Sequence, residues 1–333
     1  MKGWKEREKY MITGIGAFKG INIKGIGNFK GISINNGGHS TGEHRVSIIK
    51  KFGGKYRQVP YINRYIKEIA EENRCHTFIE LTGGGGRTIL NLPIFEMDGE
   101  IYKFGRKIYN EYDRGLCNLF NCVKDQSKVQ QLKTLLLNLG RDEGLYKYAI
   151  DNKSNENINE LLSAAFTYMA AMLSWSGNCQ KDGYLKGKTE EDARKIENDY
   201  FRKIKQLPQK SNALKDIEII NGSYEPLLIK YGADPRVVKY IDPPYHPITR
   251  HQAGLDIYDL EWKREDHQKL VMELLECRSW ILSGYDPFVW GCEDYLPLEK
   301  AGARKVNLGV FRSGTNSTET RKFNKEEYLW IMK

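Results

Sequence analysis

The sequence predicts an α/β fold in which a helical insertion interrupts a sheet, and three observations predict it. Compact apolar runs with strand character, HTFIEL, VVKYI and WILSGYD, recur along the chain. Stretches with apolar residues at helical spacing separate them. A lysine-rich, helix-patterned block at about 123–216 stands between strand–helix alternations on either side. With 333 residues, the chain has room for one large domain or one domain carrying a sizeable insertion.

Residues 1–45 stand apart. GIGAFKGINIK runs straight into GIGNFKGISI, so that Gly14, Gly16 and Gly20 are echoed by Gly25, Gly27 and Gly31. No apolar strand precedes these glycines and no helix pattern follows, which weakens a phosphate-loop reading. A flexible basic extension is expected, and two repeats are too few for a solenoid. From Val46, VSIIKK predicts a short strand, Gly53-Gly54 a turn, and the following segment a helix with Ile62, Tyr65, Ile66 and Ile69 on one face. HTFIEL is a strand, TGGGG a loop, and RTILNLP starts a helix or turn. EIYKFGRKIYNEYD holds a hairpin and then a strand ending in acids. In RGLCNLFNCVKD, Leu116, Leu119, Phe120 and Val123 recur at helical spacing.

The block that follows breaks at DNKSNEN, and its KTEEDARKIENDYFRKIKQ reads as a solvated helix face with paired charges. Beyond it, IEIINGSY and VVKYI are strands, REDHQKLVMELLECRS a helix, WILSGYD a strand, and KVNLGVFRSG and EEYLWIMK closing strands. The formal charge of +9 suits a polyanionic partner as well as it suits a merely basic protein. The six cysteines form no C-x-x-C pair and the six histidines are scattered, which gives neither a zinc site nor a disulfide framework. Reduced thiols and a cytoplasmic location are expected, since no signal-peptide pattern opens the sequence. LLSAAFTYMAAMLSW, Leu161–Trp175, is too short to span a bilayer and predicts a buried helix.

Three stretches carry chemistry. In FIELTGGGG, an acid ends a strand and glycines follow, so backbone can approach a ligand closely at the carboxyl edge of a sheet. A plain glycine turn explains the stretch as well, and neither it nor FGGKY is a Walker A loop, because Gly-Lys-Ser/Thr is missing. In YNEYD, Glu111 or Asp113 stands about 25 residues on, placed to accept hydrogen bonds from ribose hydroxyls or to form a solvated turn. In VVKYIDPPY, two prolines end a strand because neither has an N–H to give. Asp242 and the Pro243 carbonyl then present two acceptors beside the flat face of Tyr245. That set suits a planar ring with an exocyclic amino group, and both bonds favour positive charge developing on the nitrogen.

In order, FGGK, FIELTGGGG, IYNEYDRGLCNLF, a long insertion, YIDPPY, DHQKLVMELLECRSWILSGYD and EEYLWIM resemble the Dam-like DNA adenine methyltransferases, nearest to those of phages and mobile elements. MLSWSGNCQ in the insertion is similar to the family's segment near DNA. The resemblance covers about residues 46–333. It implies a Rossmann-like S-adenosylmethionine-dependent methyltransferase fold at 46–122 and 217–333, with a helical DNA target-recognition insertion at 123–216. It implies methyl transfer from S-adenosylmethionine, without a metal, to the amino group of an adenine flipped from double-stranded DNA. Asp242, Pro243, Pro244 and Tyr245 would form the catalytic turn, with Asp242 also facing the cofactor. Glu80, Gly83, Gly84 and Gly85 would line the methionine part of the cofactor, Glu111 would face its ribose, and Phe52 and Lys55 would close the pocket. Leu81-Thr82 stands where the family has Pro-Phe, and Ser223 where it has an acid near the cofactor adenine. A monomer off the membrane, with a cognate restriction endonuclease as a further partner, is the expected setting. Two rivals stay open: a DNA-binding regulator on a decayed methyltransferase fold, and an amino-methyltransferase acting on cytosine or RNA.

Overall fold

Strand burial on both faces builds the centre of the molecule. In the computed structural model, which describes residues 45–51, 53–249, 261–311 and 326–333, β1 (Thr77–Glu80) and β6 (Val237–Ile241) are buried at every position. Their apolar, β-branched and aromatic residues suit a parallel sheet covered by helices on both sides. Residues of β1 alternate between two cores: Phe78 belongs to one and Ile79 to the other. The first core receives α1 (Val59–Glu72), β4 (Arg106–Glu111), α2 (Arg114–Lys124) and a run of further helices. These are α3 (Gln126–Leu139), α4 (Glu143–Asn152), α5 (Glu160–Met172), α6 (Glu190–Lys205) and α7 (Leu207–Leu214). The second core is closed by α8 (Glu225–Tyr231), α9 (Arg264–Leu275) and α10 (Leu296–Lys300), which contribute Leu227, Leu228, Leu270, Leu274 and Leu298.

The sheet also contains β5 (Ile217–Asn221), β7 (Trp280–Tyr285), β8 (Arg304–Val310) and β9 (Glu326–Met332). Its order is β5-β4-β1-β6-β7-β9-β8. The first five strands are parallel, and β9 runs antiparallel between β7 and β8. From β1 the chain moves outward through β4 and β5, then returns to β6 on the other side of β1. That reversal opens a crevice at the carboxyl ends of β1 and β6, where an open α/β sheet binds its ligand. A separate hairpin pairs β2 (Phe95–Met97) with β3 (Glu100–Tyr102) through Asp98-Gly99.

The helical block follows its sequence pattern. Ser163 to Met172 of α5 are all buried, which fits LLSAAFTYMAAMLSW. Among the described residues no helix is long and apolar enough to cross a membrane. By contrast, α6 buries only Tyr200 and Ile204, and its exposed face carries Lys195–Glu191 and Lys203–Asp199 pairs. The helices α3–α7 share the first core with the sheet instead of forming a core of their own.

One expected element does not form. VSIIKK lies in no strand, because side chains take its backbone groups. Asn91 receives the Val46 N–H at 2.6 Å and donates to the Val46 carbonyl at 2.9 Å. Arg87 and Lys210 donate to the carbonyls of Ile49 and Ser47, both at 2.6 Å. Ile48 and Ile49 still enter the core, so their hydrophobicity was read correctly and its setting was not. The glycine repeat expected to be an extension lies in residues 1–44, outside the described residues.

Lys239, in the middle of β6, is fully buried. Its ammonium donates to the carbonyls of Tyr231, Gly232 and Asp234 at 3.0–3.1 Å, where α8 ends. A buried charge is tolerated where hydrogen bonds replace its hydration. Lys239→Met, similar in length but without donors, is expected to lower stability by roughly 3 kcal/mol in urea unfolding. A loss below about 1 kcal/mol would show that water or backbone adjustment replaces the ammonium.

Candidate functional site

Three carboxylates meet because three parallel strands end together. Glu80 is the last residue of β1, Glu111 the last of β4, and Asp242 the first after β6. Glu80 lies in register with Tyr109 and Tyr240. Asn110 ties the strand ends, donating to the carbonyls of Leu81 at 2.9 Å and Gly222 at 3.1 Å. The loop after β1 turns tightly, with the Gly83 N–H donating to the Asn110 carbonyl at 2.7 Å and the Gly86 N–H to the Gly83 carbonyl at 2.8 Å. Position 83 has to be glycine, because a Cβ there would stand 2.1 Å from the Tyr109 ring. Tyr109 in turn donates its hydroxyl to the Gly84 carbonyl at 2.7 Å.

Lys55, Glu80, Gly83, Gly84, Gly85, Glu111, Asp242, Pro243, Pro244 and Tyr245 all line one cavity of about 640 Å³. The structure thus brings together every sequence-predicted site residue except Phe52, which lies outside the described residues. Lys55, buried, places its ammonium 2.8 Å from Asp242 Oδ1 and 4.7 Å from the centroid of the Tyr245 ring. Glu111 accepts the Gly84 N–H and the Asp113 N–H. Of the two acids left open by sequence, Asp113 is taken structurally. It caps α2 through the Gly115 N–H, accepts from Ser154 and pairs with buried Lys153 at 2.9 Å.

The electrostatics of this cavity are unusual. Burial pushes the Glu80 carboxyl up to about 8. Burial also raises Asp242 against the pull of Lys55, and raises Glu111 against the pull of Lys51. For Asp113 burial acts in the same sense, but Lys153 and Lys51 overcome it and hold the carboxyl well below its ordinary range. One cavity therefore holds three acids that are costly to ionise, and a positively charged ligand would lower that cost.

Several contributors carried no clear signal in sequence. Thr82 Oγ1 accepts the Asp242 N–H at 2.8 Å, so the departure at Leu81-Thr82 supplies a brace for the proline turn. Ser223 lines the cavity with Glu225, whose carboxylate pairs with Lys269 at 2.9 Å. Ser154 and Glu156 reach the wall from the helical block. Glu327 on β9 accepts the Tyr245 hydroxyl at 2.5 Å, and the Tyr285 ring meets Tyr245 edge-on with centroids 4.5 Å apart. Behind the turn, His246 Nε2 lies 3.0 Å from Asp294 Oδ2, beside Cys292. Their ligand atoms lie within 4.8 Å of one another, as in a metal site. Arg264 forks across both Asp294 oxygens at 2.7 and 2.9 Å, however, and Gln268 adds a bond at 3.1 Å. The cluster acts as a charge-balanced brace for the residue that follows Tyr245.

A family model described as D12 class N6 adenine-specific DNA methyltransferase matches residues 52–288. No curated protein matches the chain.

The raised Glu80 carboxyl has a measurable consequence. The native state holds this proton more tightly than the unfolded chain does. Its stabilisation is therefore complete below the ordinary carboxyl range and is lost as pH rises to about 8. Glu80→Gln carries no such loss, so its thermal midpoint should gain on the wild type by roughly 5 °C between pH 6 and pH 8. Parallel pH profiles would mean that Glu80 is ionised throughout.

Proposed function

Since the chain belongs to the D12 class N6 adenine-specific DNA methyltransferases, we propose that it transfers a methyl group from S-adenosylmethionine to the exocyclic amino group of an adenine flipped out of double-stranded DNA. The observation that carries this reading is the Asp-Pro-Pro-Tyr turn at the mouth of a cavity rich in raised carboxylates. The cofactor's sulfonium and ammonium groups suit Glu80, Glu111 and Asp242, and about 640 Å³ accommodates a ligand of that size. When bound, it supplies a methyl group already made electrophilic by the positive sulfur.

The chain's own residues do the rest. The amino group of adenine lies inside the duplex and paired, so the base has to leave the stack to reach Asp242. The proline pair stiffens the turn, so the Asp242 carboxylate and the Pro243 carbonyl are set before the base arrives. Each accepts one amino hydrogen. Both bonds strengthen as positive charge grows on the nitrogen, which lowers the barrier more than it tightens ground-state binding. The Tyr245 ring supplies a stacking face for the purine. The surplus amino proton passes to Asp242, because burial makes that carboxylate a better proton acceptor than an exposed one. Before a base arrives, Lys55 offsets part of the cost of ionising Asp242.

The helices α3–α7 are the natural target-recognition region, since they follow the first strands of the sheet and carry many lysines and arginines. Contacts from those cations to phosphates would give affinity and salt sensitivity, while groove contacts would read the sequence. The segment Ser174–Asn178 sits directly on the backbone before Lys55. A Cβ at Gly177 would lie 2.8 Å from the Lys50 carbonyl, so this turn of the helical block packs tightly on the segment that leads to Lys55.

Expression in cells lacking adenine methylation, followed by long-read mapping of modified bases, tests the proposal. N6-methyladenine in a short motif is expected from the wild type. Asp242→Ala should lower methyl transfer by about 100-fold or more, while calorimetry still detects S-adenosylmethionine binding. Absence of methyladenine with folded wild-type protein would overturn the reading.

A further inference from the structure

Resting on the reading above, we propose that Glu327 is a positioning residue: a second carboxylate that receives the Lys55 ammonium when a base takes its place on Asp242 and Tyr245. Lys55 stands over a face of the Tyr245 ring, with its Nζ 4.7 Å from the centroid and 2.8 Å from Asp242 Oδ1. A purine stacked on that face cannot share it with an ammonium group. The same Asp242 carboxylate also has to accept an amino hydrogen. Lys55 therefore has to yield both contacts, inside a pocket where a charge without a partner is costly.

Glu327 is the acceptor placed for this. It is buried, and its Oε2 lies 2.5 Å from the hydroxyl at the far end of the tyrosine ring that Lys55 covers. Burial raises its carboxyl while Lys55 draws it back down, so the two groups already feel one another's charge. Its position is set by the sheet, because β9 pairs Glu327 with Tyr285, whose ring packs on Tyr245. Lys55 also donates to the Gly53 carbonyl at 3.2 Å, a neutral acceptor, so Glu327 supplies the second negative charge beside the ring. The ammonium exchanges one carboxylate for the other, and the total charge of the pocket does not change.

The test uses the full-length enzyme and a duplex carrying its target adenine. Glu327→Gln keeps an acceptor for the Tyr245 hydroxyl and removes only the charge. Its kcat should fall about tenfold, with cofactor affinity unchanged within about twofold. A duplex with 2-aminopurine at the target reports flipping by fluorescence. That base lacks the 6-amino group but still has to displace Lys55 from the Tyr245 face, so its signal should weaken in Glu327→Gln. In single-turnover assays, Lys55→Met/Glu327→Gln should be no slower than Lys55→Met alone, because without the lysine the second carboxylate has nothing to receive. Wild-type kcat in Glu327→Gln would overturn the proposal, as would a further tenfold loss in the double variant. If Glu327→Gln does not fold, Glu327→Asp, which keeps the charge, decides: its kcat should stay within about threefold of the wild type, and a tenfold loss in folded protein would overturn the proposal. Failure of the wild type to methylate or to brighten 2-aminopurine would instead count against the methyltransferase reading.

Discussion

The organisation of this protein depends on burying three carboxylates at the end of one sheet. Glu80, Glu111 and Asp242 come together because β4, β1 and β6 are adjacent and parallel. Each would be cheaper to ionise in water. The sheet can hold them there because both its faces are packed, with Phe78, Tyr109 and Tyr240 in one core and Ile79, Ile108 and Ile241 in the other. Nearby cations offset part of the cost: Lys55 at Asp242, and Lys51 between Glu111 and Asp113. The price of this arrangement is borne by the apolar packing, and the return is a cavity with three acids at the ends of adjacent strands.

Much of this was readable in the sequence for a physical reason. Glu80, Gly83–Gly85, Glu111 and Asp242 lie where a strand passes into a loop, and such junctions leave a local pattern of apolar run, acid and glycine or proline. Residues that act across the fold left no such pattern. Glu327 is 82 residues from Tyr245, and the two meet only because β9 inserts antiparallel beside β7. Asp294 reaches His246 through a loop 48 residues away. VSIIKK was misread for a related reason: β-branched residues report burial, while strand pairing requires a neighbour, and here Asn91 satisfies the backbone instead.

The helical block is tied to the site more closely than an appended reading head would be. Its helices share the first core with the sheet. Lys153, at the end of α4, forms a buried pair with Asp113 at the end of β4, and Ser154 bonds the same carboxylate. Ser154 and Glu156 also line the cavity. A displacement of α4 would therefore strip a partner from a buried carboxylate that lies two residues from Glu111. Breaking a buried pair costs more than the pair contributes, because it strands a charge. This gives the block and the sheet a reason to move as one body.

The resting site is also closed on itself. Glu111 takes the Gly84 N–H, Asp242 takes Lys55, Glu327 takes the Tyr245 hydroxyl, and Thr82 takes the Asp242 N–H. These side chains already have internal stand-ins for a ligand. Ligand binding is then an exchange of partners, and its net free energy is the difference between two sets of similar bonds. Such a site gains little from tight ground-state contacts. It gains most where the new bond outgrows the old one as the reaction proceeds, and under the proposed function that place would be the amino nitrogen at Asp242. On that reading, the turn would reserve its strongest interaction for the transition state.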